Sequence, residues 1–110
     1  MPFGNHGNRA FTATSVERNA PSASGVYGLS NAREWIYVGE CDNVKAKLMA
    51  HLRETKTLLA EQSPTGFTYE FCAHGDRIAR QNQLVLELAP VCNRRLGHEL
   101  SEPGSSVSEV

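Results

Sequence analysis

Two short β-rich runs, Gly25 to Leu29 (GVYGL) and Glu34 to Gly39 (EWIYVG), are separated by the turn formers Ser30 and Asn31. Branched and aromatic residues favour strands and Ser-Asn favours a turn, so the pair predicts an antiparallel hairpin. Asp42 or Asn43 can then cap a helix from Val44 to about Glu54, where Val44, Leu48 and Leu52 recur at four-residue steps as a buried stripe. Ser63, Pro64 and Gly66 break the chain, and FTYEF (67–71) reads as a third strand. Asp76 caps a second helix that runs through Ala89 and stops at Pro90. The order is β-β-α-β-α. It predicts an α+β fold, a small three-stranded, mostly antiparallel sheet with helices packed on it.

With 110 residues there is room for one domain, placed at 24–96. Residues 1–23 offer only Phe3, Phe11 and Val16 for burial and read as a flexible lead-in, with at most a short edge strand near Phe11. Residues 97–110 (GHELSEPGSSVSEV) are too polar to offset ordering entropy and read as a disordered acidic tail. No internal repeat is visible, which excludes solenoids and propellers. The apolar stretches are too short to span a bilayer, and the N-terminus lacks the apolar core of a secretory signal. Cys41, Cys72 and Cys92 are odd in number and widely spaced, so neither a disulfide framework nor a zinc clip is suggested. They read as buried small residues, in a reducing, cytoplasmic setting. A net charge of -1 excludes a protein that coats nucleic acid by bulk electrostatics. That total divides unevenly: up to Leu96 there are eleven basic and nine acidic residues, while the tail carries three glutamates. The body is mildly basic and keeps a nucleic-acid partner open.

Gly25-Val26-Tyr27 and Tyr37-Val38-Gly39, ten residues apart from tyrosine to tyrosine, resemble the two tripeptides of the GIY-YIG nuclease family. The resemblance runs through the capped helix to Leu84, Pro90 and Asn93, which fit the family's E-x-x-L…P-x-x-N frame, and covers roughly residues 24 to 95. It implies a fold that cleaves nucleic-acid phosphodiesters with one divalent metal, Mg²⁺ or Mn²⁺ if the site is active. Tyr27 would be the general base or its partner, and Tyr37 would hydrogen-bond the phosphate or order the attacking water. The phosphate-neutralising arginine falls at Lys47, and His51, four residues on, shares its helical face. Restriction-type members that carry a histidine at this spacing give it a proton-handling role. Asn93 matches the family asparagine and would help position phosphate or water. The metal-binding glutamate, twelve residues earlier, falls at Gln81.

These two departures differ in weight. Lysine for arginine keeps the charge and loses the planar fork that grips phosphate oxygens. Glutamine for glutamate removes the one anionic ligand the family supplies, and a hard ion such as Mg²⁺ binds a neutral amide far more weakly. Glu87, six residues on, points to another side of the helix and does not replace it. Glu40 stands where many family members carry a basic residue. On the second helix Ile78, Leu84, Val85 and Leu88 mark the apolar side, with Gln81 inside that stripe. It is either a core-edge glutamine held by hydrogen bonds or a cleft residue that has lost the charge. Arg94 and Arg95, joined by Arg77 and Arg80 on the exposed part of the second helix, form either a phosphate-contacting corner or an ordinary solvated surface. Trp35 packs under the hairpin.

Three functions follow from the resemblance. One is a nuclease-like domain with impaired hydrolysis that binds nucleic acid, DNA first, or serves as an interaction module. The second is an active, metal-dependent endonuclease. The third is a scaffold that has kept only the fold.

Overall fold

The computed structural model describes residues 8–54 and 57–95, with backbone alone for Leu58, Arg94 and Arg95. Its elements are β1 (Arg9–Ala10), α1 (Ala13–Asn19), β2 (Gly25–Ser30), β3 (Trp35–Cys41), α2 (Val44–Arg53), α3 (Leu58–Glu61), β4 (Gly66–Phe71), α4 (Arg77–Leu88) and α5 (Val91–Arg95). A 3₁₀ turn over His74–Asp76 leads into α4.

The hairpin forms as its sequence dictates. Asn31 Oδ1 accepts from the backbone N–H groups of Arg33 and Glu34, both at 2.9 Å, which closes the turn with a side chain. β2 pairs antiparallel with β3 on one side and with β4 on the other. The sheet has four strands in the order β1-β4-β2-β3, all antiparallel, rather than the three expected. The extra one is the two-residue β1, whose Arg9 lies opposite Phe67.

Successive residues of a strand point to opposite faces, and the sheet is buried on both. Tyr27, Leu29, Phe67 and Tyr69 pack with Val16 of α1, Val44 and Leu48 of α2 and Leu59 of α3. Val26 and Val38 pack with Leu84 and Val85 of α4, and Trp35 closes that second cluster as expected. No helix among the described residues is long and apolar enough to cross a membrane.

Several expectations need correction. The lead-in is not loose from residue 9 onward: Thr12 caps α1 through Ser15 N–H, and Phe11, Val16 and Ala20 are buried. One valine per two turns is too faint a stripe to read. The expected capping bond from Asp76 is not made, although Asp76 does precede α4. Ile78 is not on the apolar side. It is 52% exposed, and the buried face of α4 is Arg77, Gln81, Leu84 and Val85. Cys72 is only partly buried, unlike Cys41 and Cys92. Residues 1–7 and the tail at 97–110 lie outside the described residues.

Candidate active site

The antiparallel register places Tyr27 of β2 directly opposite Gly39 of β3. A Cβ at Gly39 would stand 2.6 Å from Tyr27 Oη and 2.9 Å from the Tyr37 ring. Glycine there makes room for both tyrosines. Gly25 answers a similar need, since its Cβ would collide with the Glu70 carbonyl of β4. Both motif glycines thus answer packing requirements, Gly39 for the two rings and Gly25 for the approach of β4.

Asn43 accepts from Ala46 N–H and caps α2, which presents His51 to those rings. Tyr27 Oη and His51 Nε2 are 2.8 Å apart. The Tyr37 ring lies 6.2 Å from that of Tyr27 and 6.1 Å from that of His51, centroid to centroid. Burial, with smaller contributions from Tyr37 and nearby acids, raises the Tyr27 hydroxyl well above its ordinary range. Burial and Glu40 raise that of Tyr37. Burial also holds His51 below 6.5, with Lys47 lowering it further and Glu54 opposing. At neutral pH both phenols are protonated and the imidazole is uncharged. The arrangement can pass a proton between Tyr27 and His51 inside a shielded site.

Lys47, one turn before His51, lines an open groove of about 460 Å³ with Glu40, Asp42, Asn43, Ala46 and Arg77. Arg77 is not on the exposed side of its helix; it is 7% exposed and holds α4 to the end of β3. Its Nη1 donates to Asp42 Oδ1 at 2.5 Å and Ser24 Oγ at 3.3 Å, and its Nη2 lies 2.8 Å from His74 Nδ1. The Nε has Glu40 as a charge partner at 3.1 Å without an aligned hydrogen bond. Arg80 is likewise engaged, bidentate to Glu70 at 2.9 and 3.0 Å and bonded to Gln83 at 2.8 Å. The side chains of Arg94 and Arg95 lie outside the described residues.

Asn93 is fully buried and serves the strand rather than an open cleft. Its Oδ1 accepts from Val38 N–H at 2.8 Å, and its Nδ2 donates to the Val38 carbonyl at 3.0 Å. Gln81 is 8% exposed on α4, the helix that covers the Val26/Val38 face, whereas Tyr27 and His51 meet on the other face. Tyr27, Tyr37 and His51 are thus brought together, with Lys47 on the next turn. Asn93 sits behind them, supporting β3. Sequence reasoning missed Glu54, whose Oε1 lies 3.3 Å from His51 Nδ1. The three-residue spacing on one helix was the available signal. It also missed the Glu40–Arg77–Asp42 cluster, which no local spacing announces.

No family model matches the sequence, and no curated protein does. Among solved structures, the chain is similar to the GIY-YIG N-terminal endonuclease domain of UvrC from Thermotoga maritima bound to magnesium. That match has a TM-score of 0.58 and 16% identity, and covers 68% of this chain and 91% of that one. A point mutant of the same domain bound to its catalytic divalent cation matches equally, at 16% identity over 68% and 90% of the two chains with TM-score 0.58. A second point mutant matches at TM-score 0.56. With its strand order, paired tyrosines and helix placement, the chain is a GIY-YIG-like domain in fold.

Proposed function

We propose that this domain engages nucleic acid, with DNA the first candidate, and that its hydrolytic step is impaired. The observation that carries the reading is the position of Gln81. It is buried on α4, at the place where the resemblance puts a metal-binding carboxylate, and it offers a neutral amide. The residues present do not fit a resident divalent ion. The cation seen in the structural neighbours is a property of those proteins.

What remains is suited to holding a phosphodiester. Lys47 supplies a positive charge on the groove, and the Tyr37 hydroxyl can donate, whereas that of Tyr27 is engaged with His51. Because Arg77 is neutralised by Glu40 and Asp42, net attraction for a polyanion is small, and binding is weak with a shallow salt dependence. A second reading, an active but slow endonuclease, is favoured by the 2.8 Å contact between Tyr27 and His51. In that case the pair takes up the proton released by water, while Lys47 balances phosphate charge.

Nicking of supercoiled plasmid in Mn²⁺ separates these readings, with wild type, Tyr27→Phe and Gln81→Glu compared. The impaired reading expects no nicking by wild type and metal-dependent nicking by Gln81→Glu. Wild-type nicking abolished by Tyr27→Phe overturns it in favour of the active enzyme. No DNA binding at low salt by any of the proteins overturns both and leaves a scaffold.

A further inference from the structure

We propose that Glu54 is a positioning residue that fixes His51 in its Nδ1–H tautomer, so that Nε2 is reserved as the acceptor of the Tyr27 proton. The chemical use of this arrangement rests on the reading of Tyr27 and His51 as the proton-handling pair. The tautomer itself does not.

Glu54 Oε1 stands 3.3 Å from His51 Nδ1, and an ionised carboxylate can only accept. That contact is favourable only when Nδ1 carries a hydrogen. A neutral imidazole has one N–H, so Nε2 is then bare, and the 2.8 Å contact to Tyr27 must be a hydroxyl donating to Nε2. The opposite tautomer would turn the Nδ1 lone pair toward a carboxylate. Burial keeps the ring uncharged at neutral pH. The groups that face it are Glu54 and Lys47 from α2, Tyr27 from β2 and Tyr37 from β3.

Backbone and surroundings hold Glu54 in place. Its N–H donates to the His51 carbonyl at 3.2 Å, where α2 ends. The His51–Glu54 pair lines a cleft of about 340 Å³ whose other walls include Phe11, Leu29, Leu52 and Leu59. Glu54 is 47% exposed, so this end of the chain of contacts opens to solvent.

This order of donors resolves a difficulty in the site. Burial disfavours a Tyr27 phenolate, so Tyr27 cannot wait in that form as a base. It need not. As Tyr27 Oη takes a proton from water, its own proton passes to His51 Nε2. Tyr27 ends neutral, one proton has moved from water to the imidazole, and the imidazolium Nδ1–H faces the Glu54 carboxylate.

The test is ¹⁵N NMR of His51 in the full chain at mildly alkaline pH, for wild type, Glu54→Ala and Glu54→Gln. Wild type is expected to show a protonated Nδ1 and a bare Nε2. Glu54→Ala is expected to lose that preference and to titrate at lower pH. Glu54→Gln retains the tautomer, because its amide oxygen still accepts, and lacks the charge that raises the titration point. A wild-type Nε2–H tautomer, or an unchanged tautomer in Glu54→Ala, overturns the proposal. The readout needs no cleavage: the expected spectra with silent nicking assays defeat the nuclease reading alone.

Discussion

Asn93→Ala tests whether a single carboxamide holds the edge of the sheet that carries the site. Among the described residues β3 is the outermost strand on its side, so the outward N–H and C=O of Val38 have no further strand there to pair with. Asn93, 1% exposed, takes the place of one by bonding both groups at 2.8 and 3.0 Å. Alanine removes both partners together. A buried backbone group left unpaired costs about 1–3 kcal/mol, so two cost roughly 2–6 kcal/mol, the lower end applying if water reaches the edge. Against a total stability of about 5–15 kcal/mol, that is a large fraction.

The assay is equilibrium urea unfolding followed by the fluorescence of Trp35, the only tryptophan, which lies on β3 itself. Asn93→Leu is the decisive companion, because it fills the space without either hydrogen bond. It is expected to resemble Asn93→Ala rather than wild type, and the Val38 amide is expected to lose its protection from hydrogen exchange in both. An Asn93→Leu protein as stable as wild type, with Val38 still protected, would refute the reasoning. Val38 stands between Tyr37 and Gly39, so DNA binding lost in Asn93→Ala would report a displaced strand.

Gly39→Ala is expected to destabilise by about 1–3 kcal/mol and to break the Tyr27–His51 contact, since its Cβ would lie 2.6 Å from Tyr27 Oη; urea unfolding and the His51 ¹⁵N spectrum check both. Ala89 ends α4 in the left-handed region at φ 49°, so Ala89→Gly should stabilise by about 0.5–1 kcal/mol after glycine's larger unfolded entropy is subtracted, which a shift in urea midpoint at constant slope would show. Burial lowers His51 below 6.5, so between its folded midpoint and 6.5 the unfolded chain binds more protons and stability falls as pH falls. The contribution is fully present above 6.5, and His51→Gln should flatten this slope in unfolding curves taken from about pH 5 to about pH 8.

What the sequence made legible was local. The hairpin follows from alternation and from Asn31, and α2 from Asn43 and the Val44–Leu48–Leu52 spacing. The paired glycines and tyrosines could be seen as a motif, but their reason appears only in the register that sets Tyr27 against Gly39. α1 escaped because only Val16 within it is buried. Ile78 falls off the buried stripe of α4 because an arginine occupies that face there. Arg77 is tolerated inside because its partners Glu40 and Asp42 come from a strand end far away in sequence. Asn93 could be matched to a family position, whereas its work on Val38 is a contact between distant segments.

The Arg77 cluster also bears on how the Gln81→Glu experiment is read. Arg77 precedes Gln81 by one turn on the same buried face of α4. A carboxylate introduced at 81 meets a guanidinium four residues away, a spacing at which opposite charges pair. That guanidinium already has Glu40 and Asp42, so a third carboxylate adds little to its stabilisation while paying its own desolvation. The new charge is therefore underbalanced in the fold and gains most from an added cation. Apparent stability of Gln81→Glu should fall below wild type without divalent ions and recover as Mn²⁺ is titrated in, whereas wild type should not respond. A variant as stable as wild type without metal would mean that Arg77 has absorbed the charge. Restoring one carboxylate would then be insufficient to rebuild the site.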